Sequence, residues 1–270
     1  MRGILKHDFY SGILSEWKKF IFGIILFALI GVCAGLSARS YEIRALSLFE
    51  TAEYVMLGVV PFQNVRGNTA IFHIPVVWLI VQIFIAYMIG SYPEYDLKNY
   101  GINLLLRTHN RAKWWYGKAV WAILLNVIIY GCQWGTFAVI AQLKGADHLL
   151  IQKSVAELCH VDLSGYRMSE QLFLILIMPL LTSIALSMIQ MCVLVWKNGI
   201  VAYVVILFLC CAGAYYETPF CIADNSMVTR TAVYFQSGSL PYVVIGLVLC
   251  IVCCLAAGKC IMEHKDIYGN

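Results

Sequence analysis

The feature that most limits what this chain can fold into is the grouping of its apolar residues into six long runs, at about 20–38, 74–92, 119–141, 172–196, 200–216 and 240–258. A helix rising about 1.5 Å per residue needs roughly 20 such residues to cross a hydrocarbon layer of roughly 30 Å. In lipid, backbone N–H and C=O groups can be satisfied only within a helix or a closed barrel. Barrel strands would alternate apolar and polar residues over about ten positions, and these runs do not alternate. The expected fold is therefore all-α: a polytopic membrane protein with six transmembrane helices, residues 1–270 forming a single transmembrane domain. Composition agrees, since hydrophobic residues make up 61% and charged residues only 13%, against roughly 25% charged in soluble domains.

The polar break Lys197-Asn198-Gly199 is very short, so the fourth and fifth runs are expected to form a tight helical hairpin rather than one over-long helix. The first run begins after nineteen residues and is too long for the apolar core of a cleavable signal peptide. It is expected to remain as a signal anchor.

Cytoplasmic loops retain Lys and Arg, and the six runs divide these residues unequally. Arg2, Lys6, Lys18, Lys19, Lys98, Arg107, Arg111, Lys113, Lys118, Lys197, Lys259 and Lys265 fall on one side. Arg39, Arg44, Arg66, Lys144, Lys153, Arg167 and Arg230 fall on the other, together with most of the acidic residues. The first side is read as cytoplasmic, which places the chain in the cell membrane with both termini in the cytoplasm. The net charge of +4 then reflects topology and contact with anionic lipid, and no nucleic-acid partner is expected.

Within these limits the runs contain no Asp, Glu, Lys, Arg or His. Ionisable groups at membrane depth are costly and mark function where they occur, so their absence argues against a proton-driven carrier. The polar residues present are mainly Gln82, Asn126, Gln133, Thr182, Ser183, Ser187 and Gln190. Gln82, Asn126, Gln133 and Gln190 are the candidates for a pathway or a helix seam, and Pro179 is read as a simple kink.

The chain has no H-E-x-x-H, no G-x-S-x-G and no phosphate-cradling G-x-x-x-x-G-K-[ST], so no catalytic residue is assigned and an enzyme is not expected. Active transport would need a partner chain to bind ATP and Mg, because no cofactor is expected here. His148 and His160 share a loop with Asp147, Glu157 and Asp162, but an ordinary polar loop accounts for them. The cluster Cys250, Cys253 and Cys254 falls within an apolar run, where cysteine packs as a small apolar residue. No metal site is assigned, and a disulfide between Cys159 and Cys221 stays open.

Two segments flank this framework. At 100° per residue, Phe9, Tyr10, Ile13, Leu14 and Trp17 share one arc, with Asp8, Ser11, Gly12, Ser15 and Lys18 opposite; residues 1–19 are expected to form an amphipathic surface helix. Residues 93–118 join the second and third runs. Pro93, Glu94 and Asp96 suit a helix start, and Arg107, His109, Arg111 and Lys113 lead into Trp114, Trp115 and Tyr116, which suit a membrane interface.

On these features the chain resembles the permease subunits of ABC-2-type transporters, the class that includes ABCG-like exporters, and especially the small permeases of Gram-positive bacteria. The resemblance rests on a surface helix, six spans, and an inner loop in which a leucine run is followed by Arg107, Thr108, Arg111, Lys113, Trp114, Trp115 and Lys118. It implies a second permease as partner, forming a homo- or heterodimer, and an ATP-binding-cassette ATPase docked on a coupling segment. Docking would fall to Leu97, Tyr100, Leu104 and Leu105, with Arg107, Arg111 and Lys113 as charge partners. The implied function is outward movement of an amphipathic or hydrophobic substrate, such as a peptide antibiotic, toxin or lipid, by alternating access. The competing reading is a passive channel, ion-coupled carrier or lipid scramblase without an ATPase. The chain departs from ABCG-like members in having only a short segment, 217–239, between the fifth and sixth runs.

Overall fold

The computed structural model describes residues 2–59, 74–98, 111–146, 148–149, 151–216, 218 and 221–265. Among these there is only helix, turn and irregular chain. The helices are α1 (Arg2–Gly12), α2 (Trp17–Arg39), α3 (Leu48–Met56), α4 (Val76–Lys98), α5 (Arg111–Leu143), α6 (Lys153–Cys159), α7 (Met168–Leu172), α8 (Met178–Trp196), α9 (Gly199–Tyr215), α10 (Val228–Gln236) and α11 (Leu240–His264). Five helical stretches are long and apolar enough to cross a membrane: 5–39, 76–98, 111–143, 168–196 and 240–264. The chain is thus a multi-pass, membrane-embedded helical protein. The sixth run forms α9, whose 17 residues reach about 25 Å, less than a full hydrocarbon thickness.

α8 is the central helix, packing against α4, α5, α9 and α11. Its faces are mostly buried, whereas α11 exposes Tyr242, Ile245, Leu249 and Val252 as a lipid-facing side would. A wider π turn at Phe173–Ile177 leads without a break into α8, and Pro179 follows it within the same helical stretch, 168–196. The Lys197-Asn198-Gly199 break is a tight hairpin as expected: Asn198 caps α9 by accepting from Val201 N at 2.9 Å, and α9 packs back on α8.

The described ends of the 93–118 segment are helical. α4 runs on through Pro93 to Lys98, and α5 begins at Arg111. Pro93 is therefore inside a helix and not at its start. The lost backbone bond is offset by side chains around it: Tyr92 donates to Asp8 at 2.8 Å, Glu94 accepts from Gly199 N at 2.9 Å, and Asp96 accepts from Trp114 at 3.0 Å.

The segment between the last two membrane runs is not an outer loop lying free. Its 3-10 turn Ile222–Ser226 packs against α8 and α9, with Asp224, Asn225 and Ser226 buried. Ser226 accepts from Trp78 Nε1 at 2.8 Å. Gly213 lets this turn approach, since a Cβ there would stand 2.9 Å from Asp224 N. α10 follows, with Arg230 fully buried and its Nε donating to Val59 O at 3.1 Å.

Candidate functional site

The N-terminal arc faces opposite to the way a soluble helix would place it. Phe9, Tyr10, Leu14 and Trp17 are exposed, while Asp8, Gly12 and Ile13 are buried. Lipid accepts the apolar arc, so the polar arc is free to turn toward protein. α1 packs against α5 through Gly12, where any Cβ would meet the Trp121 indole and the Tyr92 ring.

This contact buries a charged cluster. Lys118 is fully buried, two turns into α5, and its Nζ stands 2.5 Å from Asp8 Oδ1 and 2.7 Å from Asp96 Oδ2. Its ammonium also lies over the Tyr92 ring at 4.2 Å, a cation–π contact strengthened by exclusion of water. Trp114 Nε1 donates to Asp96 Oδ2, and His7 Nε2 is 3.3 Å from Asp96 Oδ1. The cluster therefore ties three parts of the chain: the N-terminal helix, the end of α4 and the start of α5. Isolated buried ions are strongly unfavourable, and such a group persists only when paired and hydrogen-bonded.

Asp96 and Lys118 flank the segment 99–110. The docking candidates Tyr100, Leu104, Leu105 and Arg107 lie outside the described residues. Leu97 is half-buried against the core, and Lys113 is exposed. Arg111 ties two helix ends together, its Nη1 donating to the carbonyls of Met262, Glu263 and Lys265 at 3.4, 3.1 and 2.5 Å. These are the last acceptors of α11, where a helix favours a cation. Nearby, Trp115 donates to Leu255 O at 2.9 Å and rests on Gly258.

Three of the four candidate polar residues meet in one seam inside the bundle. Ser183 Oγ is 2.7 Å from Tyr130 Oη and 3.3 Å from Gln82 Oε1. Asn126 donates to Ser187 Oγ at 2.9 Å, and Gln190 donates to Ala86 O at 2.7 Å. Between Gln82, Ser183, Ser187 and Gln190 there is a cavity of about 10 Å³, room for no more than one water. Gln133 is buried elsewhere along α5. A larger groove of about 430 Å³ lies between the 222–226 turn and α11, lined by Ile222, Tyr242, Gly246 and Leu247.

Among the described residues no group of His, Cys, Asp or Glu could hold a metal ion. His148 instead meets Glu50 at 2.8 Å. Cys159 and Cys221 are both free thiols.

Sequence reasoning puts Lys118 and Asp96 among cytoplasmic loop charges and misses their burial with Asp8. The signal present in the chain is Lys118 on the Trp114–Trp121 side of one helix, four and three residues from those indoles. No protein-family model, curated protein or solved structure matches this chain.

Proposed function

We propose that the chain is the permease subunit of an ATP-binding-cassette exporter, moving an amphipathic or hydrophobic substrate outward by alternating access. Six spans would be completed by α9, with α1 as the surface helix and both termini in the cytoplasm of the cell membrane. A second permease and an ATPase carrying ATP and Mg would complete the transporter. The observation that supports this reading best is the Asp8–Lys118–Asp96 cluster. It joins the end of α4 and the start of α5, the helices on either side of residues 99–110 in the chain, to the N-terminal helix, so a push on either would act on α1, α4 and α5 together. Coupling of this kind needs a connected element with two arrangements that a partner can bias.

The same cluster supports the ion-coupled carrier as second reading, because it holds two carboxylates and an ammonium in a water-poor place. Purification in mild detergent followed by mass spectrometry separates the two. A nucleotide-binding partner in about equal amount, with transport in vesicles that persists after the proton and sodium gradients are collapsed, is the expected result. Transport that stops with the proton gradient while ATP remains plentiful overturns the exporter reading.

A further inference from the structure

The end of the bundle away from Lys118 holds a second buried acidic pair with a different chemistry. α3 begins with a reciprocal cap: Glu50 N donates to Ser47 Oγ, and Ser47 N donates to Glu50 Oε2 at 2.8 Å. Glu50 Oε2 also meets His148 Nε2 at 2.8 Å, and its Oε1 accepts from Gln152 N at 3.0 Å. Donors on both oxygens suit a carboxylate. Glu53 stands one turn further on, is fully buried, and neither of its carboxyl oxygens has a hydrogen-bond partner among the described residues.

The groups around Glu53 offer it no positive charge. On its own helix stands Glu50, and Tyr54 turns away to Ser37 Oγ of α2 at 3.2 Å. α6 brings the buried thiol of Cys159, and the chain beyond it brings Asp162. From the chain after α5, His148 is committed to Glu50, and Lys144 lies beside Gly35 of α2. Arg39 at the end of α2 and Lys153 and Glu157 on α6 are exposed. The charged residues of α4 lie at its far end, and the Phe173–Ile177 turn is wholly apolar.

We propose that Glu53 is a proton-binding site that keeps α3 and α6 seated on the bundle: the protonated carboxyl holds this end closed, and loss of the proton opens it. An ionised carboxyl here would have neither donor nor cation, at a cost far above that of the neutral acid. Burial first, then the charges of Glu50 and Asp162, push its pKa up to about 8. The sign follows from linkage. An opened α3 would release the proton near the ordinary carboxyl value, while the closed form keeps it until about 8. Closure is fully favoured below the ordinary value, weakens about tenfold per pH unit above it, and levels off once pH passes about 8.

The test uses the full chain in detergent micelles. Hydrogen exchange of amides in Leu48–Met56 and Lys153–Cys159 is compared with that of Glu53→Gln at each pH, which cancels the intrinsic pH dependence of exchange. The ratio of opening in the parent to opening in the variant should rise about tenfold per pH unit up to about pH 8, and alkylation of Cys159 should follow it. A ratio that does not change with pH overturns the proposal. Should the variant fail to fold, infrared spectra of the parent decide: a protonated-carboxyl stretch at neutral pH that fades on alkalinisation supports the site, and its absence at neutral pH overturns it.

Discussion

Lys118 Nζ lies 2.7 Å from Asp96 Oδ2, which joins the start of α5 to the end of α4. Asp8 takes the other side of the same ammonium, so the three charges stand or fall together.

Removing Lys118 alone leaves two buried carboxylates without their cation. Lys118→Met should destabilise the protein by about 3–5 kcal/mol. Combining it with Asp8→Asn and Asp96→Asn should recover most of that loss, since neutral groups need no counter-charge. Thermal unfolding in detergent measures both, and a triple variant no better than the single one would refute the coupling.

Arg107 and Arg111 should separate in their effects. Arg111→Glu removes donors from the last carbonyls of α11 and places a negative charge there, a loss of about 1–3 kcal/mol, visible as faster hydrogen exchange near Met262. Arg107→Glu should leave the fold intact and weaken ATPase co-purification, as like charges meet in a docking interface. Unchanged co-purification removes Arg107 from the interface.

Two glycines on packed and open faces give a matched pair. Gly258→Leu must displace the Trp115 ring and should cost about 1–3 kcal/mol. At Gly131 nothing lies within 4 Å of an added Cβ, so Gly131→Leu should be neutral or mildly stabilising, because glycine itself costs about 0.5–1 kcal/mol in a helix. Equal shifts in melting temperature would contradict this packing.

Topology is open to labelling. Arg44 is exposed. Arg44→Cys should react with an impermeant maleimide from outside, and Asn103→Cys only after permeabilisation. The reverse pattern would invert the chain and detach the 99–110 segment from any cytoplasmic ATPase.

How much of the fold is legible in the chain follows the range of the forces involved. The positions of five long apolar helices and the α8–α9 hairpin can be read because each rests on a contiguous stretch: a run of apolar side chains, or a short polar break with Asn198 as cap. The polar seam is legible in its members, since Gln82, Asn126 and Gln190 are rare groups in apolar runs, but not in their partners. The ends of the spans are misjudged around Pro93, because a proline with acidic neighbours reads as a helix start when the contacts that carry α4 past it are out of view.

The sequence by itself determined that this chain is helical and membrane-embedded, since uninterrupted apolar length leaves the backbone no other way to satisfy its N–H and C=O groups in lipid. Only the tertiary structure decided which side of each helix meets protein. In lipid an apolar arc can face outward as well as inward, so the period of α1 did not reveal that Asp8 turns in to Lys118, 110 residues away. The same holds for Glu53, whose burial without a counter-charge is a property of the helices packed around it and of no residue near it in the chain.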